Sequence, residues 1–389
     1  MTRRAAIVVL DGVGIGEAAD AATYGDVGSD TLGNVARAVG GLDLPNLAAC
    51  GLGNIKPLPG VTPATNPAAS YGIMQPASGG KDSTAGHWEI AGVHLAKAFP
   101  TFPRGFPSEV IERFETNTGR KVIGNVVGSG TDVMAKFGAE HVRSGSWIVY
   151  TSADSVFQVA AHEGVIPIEE LYSACEKARV MLKPPFDVSR VIARPFVGEE
   201  GNFKRTANRR DFSIEPPEET LLDALAKAGI PRDGVGKTDD LFAGRALKAR
   251  HTSSNAEGIL EIRRWLEGEG GGFLFANLVD FDQLYGHRND VAGFYNALRE
   301  FDSELPSLVS DMREDDLLFL TADHGNDPTT ASSDHARENV PILVIGQRVK
   351  AVDLGVRKTF SDLGATVAEW LGVEFRGKGT SFLPSMMSK

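Results

Sequence analysis

Cysteine is nearly absent: Cys50 and Cys175 are the only two in 389 residues, and they lie far apart. Two distant thiols give no disulfide framework, and without a Cys-x-x-Cys neither thiolate zinc nor dithiol redox chemistry is expected. No run of about 18 apolar residues occurs, so no transmembrane helix is expected. Positive charge is outweighed: 40 Lys and Arg stand against 51 Asp and Glu, a net charge of −11. That balance argues against nucleic acid or an anionic membrane as a partner. The start, Met-Thr-Arg-Arg, leads straight into an apolar segment with no cleavable hydrophobic region, which predicts a cytoplasmic protein. There is no internal repeat and no low-complexity tail.

What remains is ordinary for a soluble globular protein, 42% hydrophobic and 23% charged. At about 150 residues per domain the length predicts two or three domains. The chemistry is concentrated in a few places. Asp323-His-Gly-Asn-Asp-Pro-Thr-Thr-Ala-Ser-Ser-Asp-His335 follows the apolar run Leu317–Thr321. Acidic residues and imidazoles on a loop beyond a strand are the usual material of a metal site. The alternative for the run alone is a polar surface loop with two solvated histidines.

It has partners. Ala5-Ala-Ile-Val-Val-Leu10 ends abruptly in Asp11, and Phe273-Leu-Phe-Ala-Asn-Leu-Val279 runs into Asp280-Phe-Asp282-Gln-Leu-Tyr-Gly-His287. A single Asp after a strand commonly caps a helix or turn. Three strand ends that feed carboxylates and histidines toward one rim fit the place where open α/β sheets put their ligands.

A second constellation is Ser78-Gly-Gly-Lys-Asp-Ser-Thr-Ala-Gly-His-Trp-Glu89. Glycines open it, hydroxyls follow, and the segment then becomes compatible with a helix. A hydroxyl at a helix start can meet a phosphate, because unpaired N–H groups and the positive dipole end both favour an anion. A weak alcohol nucleophile would need activation by a divalent ion. The structural alternative is that Asp82 or Ser83 only caps the helix. A third feature is local and basic. Arg190, Arg194, Lys204, Arg205, Arg209 and Arg210 lie in one stretch with acids only at Glu199 and Glu200. This is either a solvated face or a phosphate pocket.

The candidate ligands are early and late in the chain, so the middle reads as an excursion. Pro100, Pro103 and Pro107 punctuate its exit, and Pro216-Pro217 its return. Strand-like segments at Val122, Ser146–Thr151 and Val188–Arg194, with helical spacing over Glu169–Leu182, make it an α+β unit. Glu219 to Gly229 reads as a helix ended by glycine, after which strands and helices alternate.

These motifs together resemble the phosphopentomutases of the alkaline phosphatase superfamily. The resemblance spans nearly the whole chain. It is carried by Asp11-Gly-Val-Gly-Ile-Gly-Glu-Ala-Ala-Asp-Ala, Gly28-Ser-Asp-Thr-Leu-Gly-Asn, Gly80-Lys-Asp-Ser-Thr-Ala-Gly-His-Trp-Glu, Tyr150-Thr-Ser-Ala-Asp-Ser and Ala193-Arg-Pro-Phe-Val-Gly. It continues in Arg205-Thr-Ala-Asn-Arg, Asn277-Leu-Val-Asp-Phe-Asp, Gly286-His-Arg, Thr321-Ala-Asp-His-Gly-Asn-Asp-Pro and Asp334-His-Ala-Arg-Glu. It implies an α/β fold: an alkaline-phosphatase-like core with a mostly parallel sheet flanked by helices, plus an inserted α+β cap domain. The expected boundaries are core 1–98, cap 99–213 and core 214–389.

The resemblance also implies a reaction, the interconversion of ribose or deoxyribose 1-phosphate and 5-phosphate through a phosphoenzyme and a 1,5-bisphosphate. Two Mn²⁺ ions are implied, held by Asp11, Asp282, His287, Asp323, His324 and His335, with a bisphosphorylated sugar as activator. Carboxylates with imidazoles suit Mn²⁺ or Zn²⁺ equally on chemical grounds. Asp282 fits the spacing to His287 better than Asp280 does. Expected substrate contacts are Ser152, Asp154, Arg190, Arg194, Arg205 and Lys237, with Lys81, Thr84 and His87 around the nucleophile. One departure stands out. The family usually has Lys-Asp-Thr with threonine carrying the phosphate, whereas here Ser83 holds that position and Thr84 follows. Neighbours on a helix point about 100° apart, so only one can face the metals. Ser83 is the expected nucleophile and Thr84 the alternative. A hydrolase with the same metals, a cofactor-independent phosphoglycerate mutase and a silent sugar-phosphate sensor are the rival readings.

Overall fold

A computed structural model describes residues 3–152 and 154–387. Its strands are β1 (Arg4–Leu10), β2 (Ser70–Met74), β3 (Val122–Val127), β4 (Trp147–Thr151), β5 (Val156–His162), β6 (Arg190–Val197) and β7 (Lys204–Arg205). They continue as β8 (Arg210–Ser213), β9 (Arg232–Val235), β10 (Ala249–Arg250), β11 (Gly272–Leu278), β12 (Asp316–Thr321), β13 (Val340–Ile345) and β14 (Asp353–Arg357). The chain divides into two compact units, one formed by residues 1–98 with 216–389 and the other by 99–215.

The first unit is built on an eight-stranded sheet in the order β10-β9-β11-β1-β12-β13-β2-β14. Its centre is parallel: β1 lies between β11 and β12, running the same way as both. Every residue of β1, β11 and β12 is buried, as expected for strands covered by helices on both faces. That double burial is why these strands read as unbroken apolar runs rather than alternating ones. β13 returns antiparallel to both β12 and β2. The sheet is therefore mixed at that side and parallel elsewhere, the mostly parallel α/β class that the motifs predict.

Register decides where chemistry can gather. Leu10 pairs with Leu278 and Val9 with Thr321. The chain thus leaves β1, β11 and β12 at one level, and Asp11, Asp282 and Asp323 all follow within a few residues. The turn from β12 back to β13 is closed by a bridge between Gly325 and Ala336, which brings the segment carrying His335 beside the strand ends. At the far end of β1, the Arg4 side chain is buried against Asp316 and donates to the carbonyls of Trp265, Leu266 and Gly268.

The second unit has its own sheet, β3-β4-β5-β6-β7, with β8 also paired to β6. Strand alternation divides its interior. Trp147 and Val149 of β4 join Phe114, Phe157 and Cys175 on one face, under helices Ser108–Thr118 and Ile168–Met181. Ile148 and Tyr150 turn the other way, to Met134 and Phe196 under helix Gly130–Ser144. Among the described residues, no helix of either unit is long and apolar enough to cross a membrane.

Candidate metal centre and nucleophile

At the strand ends of the first unit, three carboxylates and three imidazoles converge. Asp11, Asp282, Asp323 and His324 are each at most 3% exposed. Asp282 lies on the single π-helical turn Phe281–Tyr285 that follows β11. Its Oδ2 is 3.3 Å from His287 Nε2 and its Oδ1 is 3.3 Å from His335 Nε2. Across the cluster, His324 Nε2 lies 3.3 Å from Asp11 Oδ1 and 3.4 Å from Asp323 Oδ2. Ligand atoms of Asp282, His287 and His335, and of Asp11, Asp282 and His324, form two groups in which all atoms lie within 4.8 Å of one another.

The chemistry of this arrangement fits divalent cations. His324 Nδ1 faces the carbonyl of Gly325 at 3.0 Å, and His287 Nδ1 faces that of Ser333 at 2.7 Å. A carbonyl can only accept, so each Nδ1 carries the proton and each Nε2 is turned toward the carboxylates. That is how metal-ligating imidazoles are usually oriented. Both oxygens of Asp11 and Oδ2 of Asp323 are buried without a properly directed hydrogen bond. Buried carboxylate oxygens that lack hydrogen bonds call for a cation.

Lys237 and protonated imidazole offset these carboxylates. Burial opposes ionisation of Asp11, but Lys237 Nζ at 2.8 Å holds it well below the usual carboxylate range. Burial likewise opposes ionisation of Asp282, and His335 and His287 override it downward. Burial disfavours the charged His324, yet Asp323 and Asp11 carry its pKa up to about 10.

The nucleophile candidate stands beside this cluster. Ser83 opens helix Ser83–Ile90, and its Oγ is 3.2 Å from His324 Nε2. Asp82 is the N-cap, its Oδ1 accepting from the amides of Thr84 and Ala85. The capping alternative therefore holds for Asp82, and two of the amides that could have met an anion are already taken. The helix can approach the strand ends because Gly86 has no side chain: a Cβ there would fall 2.1 Å from the Asp323 carbonyl oxygen. Thr84 is buried one position on, with no contact to the ligand histidines among its hydrogen bonds.

His87, one turn along and fully buried, ties the two parts together. Asn277 Nδ2 on β11 lies 3.0 Å from His87 Nε2. An amide N–H can only donate, so His87 accepts at Nε2 and carries its proton on Nδ1. That Nδ1 is 2.9 Å from the Ser83 carbonyl oxygen and 3.1 Å from Asp323 Oδ2. Lys81 Nζ is bound by the Asp26 carboxylate at 3.0 and 3.1 Å and lies 3.5 Å from Asp334 Oδ2. Asp280 is occupied elsewhere. It exchanges hydrogen bonds with Asn255 and so fixes the start of helix Asn255–Glu267.

The expected substrate residues divide between the units. Lys237 belongs to the first, paired with Asp11 as described. Ser152, Asp154, Arg190, Arg194 and Arg205 belong to the second. There Ser152 Oγ accepts from the Asp154 amide at 3.3 Å, and Arg190 lies 3.9 Å from Asp154 and 3.5 Å from Asp211. Arg194 donates to Gln158 at 3.0 Å, and Arg205 to Thr131 at 3.0 Å. Residues that the sequence reading passed over include Asn277, Arg337, Asp20 and Glu338. Their signal was only membership of the motifs, because their partners are distant in the chain.

Comparison with known proteins gives a consistent picture. The metalloenzyme superfamily matches residues 3–375. The phosphopentomutase of Acetivibrio thermocellus is 53% identical over 387 residues, 99% of this chain and 100% of the relative. That of Dictyoglomus turgidum is 56% identical over 383 residues, 98% of this chain and 97% of the relative. Among solved structures, a phosphoglycerate mutase of Leishmania mexicana aligns with a TM-score of 0.53 at 13% identity, covering 100% of this chain and 98% of its own. At that identity the match speaks for the fold alone.

Proposed function

Because this chain belongs to the phosphopentomutase family of the metalloenzyme superfamily, an isomerase and intramolecular phosphotransferase that uses divalent metal, we propose how its residues carry the reaction. Ser83 alternates between free and phosphorylated forms. The phosphoserine gives its phosphoryl group to a ribose or deoxyribose monophosphate. The P–Oγ bond breaks as a bond from the sugar oxygen to phosphorus forms, and the sugar hydroxyl proton ends on Ser83 Oγ. The resulting 1,5-bisphosphate reorients and returns its other phosphate to Ser83, so that the 1- and 5-phosphates interconvert. A sugar bisphosphate primes the serine.

The observation that carries this reading is the hydroxyl of Ser83 at 3.2 Å from His324, itself inside a buried ring of three carboxylates. Asp282, His287 and His335 would hold one cation, and Asp11, Asp323 and His324 the other, with Mn²⁺ our choice for both. When bound, such a pair supplies Lewis-acid stabilisation of the charge on transferring oxygens. The chain's own residues do the rest. His87 holds the main chain of Ser83 through its N–H and stands 3.1 Å from the Asp323 carboxylate. Lys237, 2.8 Å from Asp11, would be available for a phosphate if a cation were held by that carboxylate. Ser152, Asp154, Arg190, Arg194 and Arg205 would contact the sugar phosphate, since guanidinium forks match phosphate oxygens.

Turnover is the test. With Mn²⁺ and a catalytic amount of pentose bisphosphate, the protein converts ribose 1-phosphate to ribose 5-phosphate, and Ser83→Ala does not. Release of inorganic phosphate in place of isomerisation would make it a hydrolase, and full activity in Ser83→Ala would remove the nucleophile assignment.

A further inference from the structure

Two glycines, Gly79 and Gly80, precede Lys81-Asp82-Ser83. A glycine pair brings no side-chain packing to hold a turn, so something else must set where the helix begins. The tethers come from residues far away in the chain. Arg337 Nη1 donates to the Gly80 carbonyl at 2.6 Å and Nη2 to that of Pro76 at 3.2 Å. Tyr24 Oη donates to the Gly79 carbonyl at 2.7 Å. Asp26 grips Lys81 with both carboxylate oxygens.

These tethers are themselves one assembly. The Arg337 side chain, 3% exposed, forks onto Asp20 with Nε and Nη2 each at 3.0 Å. It lies over the Tyr24 ring, 4.9 Å from its centre. The Arg337 amide donates to Asp26 Oδ2 at 2.8 Å. Two residues earlier is His335, 3.3 Å from Asp282. The turn that leads to Ser83 and the segment that carries His335 are thus fastened to the same guanidinium.

We propose that Arg337, with Asp20 and Tyr24, is a positioning residue that fastens the 79–82 turn to the His335 segment and so sets where Ser83 stands against the metal ligands. The proposal rests on the reading of Ser83 as nucleophile. The ion pair with Asp20, whose side chain is 46% exposed, contributes little net stability. Its use here is geometric. A lysine at 337 keeps the charge but has no planar fork, so it cannot hold Asp20, Gly80 and Pro76 together. Misplacing a reacting group by an ångström costs on the order of 100-fold in rate.

The experiment compares Arg337→Lys and Tyr24→Phe with the unmodified enzyme, each with metal bound. It reads kcat, KM, metal per chain, and amide hydrogen exchange of a peptide spanning residues 79–84. In Arg337→Lys we expect kcat to fall about tenfold or more with KM within about twofold, since only transition-state geometry is lost. Metal per chain stays unchanged, and the 79–84 amides exchange faster while those of β1 do not. Tyr24→Phe loses one hydroxyl and shows the same pattern at smaller size. If Arg337→Lys does not fold, Tyr24→Phe decides alone. Unchanged kcat, a loss expressed in KM, a loss cured by added metal, or unchanged exchange at 79–84 would each overturn the proposal. The exchange arm reads the tether without reference to chemistry on Ser83, and Ser83→Ala reads that chemistry without the tether, so the two failures are distinguishable.

Discussion

Ser83 Oγ and His324 Nε2 stand 3.2 Å apart across 241 residues of chain. The contact exists because helix Ser83–Ile90 packs its Gly86 against the backbone of Asp323, and because β12 ends level with β1. We read this hydroxyl as the nucleophile because it stands beside the ring nitrogen that faces Asp11 and Asp323.

The link from Asn277 through His87 to Ser83 and Asp323 makes a ranking of variants. An asparagine amide falls near the position of imidazole Nδ1, and a glutamine amide near Nε2. His87→Asn therefore keeps a donor toward the Ser83 carbonyl, whereas His87→Gln keeps only the partner of Asn277. We expect kcat to order as unmodified, then His87→Asn, then His87→Gln, with the last about 10- to 100-fold down, as for other residues that orient metal ligands. Equal kcat in the two variants would show that the contact to Ser83 does not matter.

Removing metal should cost both activity and stability. The buried carboxylates then rely on His324 and Lys237 for compensation, and binding of an ion to the folded state alone adds about 2.7 kcal/mol when free metal is 100 times its Kd. Treatment with a chelator is expected to abolish isomerisation and lower Tm, and added Mn²⁺ to restore both. A chelated protein that keeps its Tm and its turnover would contradict the site.

Glu338 gives a pH dependence that is separate from the metal ligands. Its Oε2 accepts from the amides of Gly16 and Thr31, and Oε1 from the Thr31 hydroxyl. Burial nonetheless pushes its carboxyl from 4.5 up to about 8, with Asp327 adding to the rise. The folded state then binds more protons than the unfolded one between those values. This contribution is fully present below about pH 4.5 and is lost as pH rises through about 8. Glu338→Gln keeps an acceptor for the two amides and offers its NH₂ to the Thr31 hydroxyl, and it has no charge to bury. Thermal scans should show the variant gaining Tm relative to the unmodified protein as pH goes from 5 to 9. A constant difference across that range would mean the carboxyl titrates normally.

Much of this was legible in the sequence, for a physical reason. Strands buried on both faces are continuous apolar runs, so Leu10, Val279 and Thr321 mark their ends clearly, and the residues just beyond them are the ones the structure brings together. Serine at 83 could be placed by the motifs around it. Lys237 shows the limit. Its position beside Asp11 depends on β9 lying next to β11, which is a matter of sheet order that no local pattern encodes. Asp280 shows another: spacing sets it aside as a ligand, but its reciprocal bonds with Asn255, which make it a helix anchor, have no local sign. The Asp20–Arg337 fork joins residues 317 apart, and an isolated charge gives no local sign of so distant a partner.

The central claim is that phosphate is carried on Ser83, and peptide mapping by mass spectrometry after incubation with a pentose bisphosphate and Mn²⁺ tests it most directly. The account predicts one added phosphoryl group, on Ser83, discharged when a pentose monophosphate is supplied. Phosphate on Thr84, or an enzyme that isomerises pentose phosphates with neither residue modified, would contradict it.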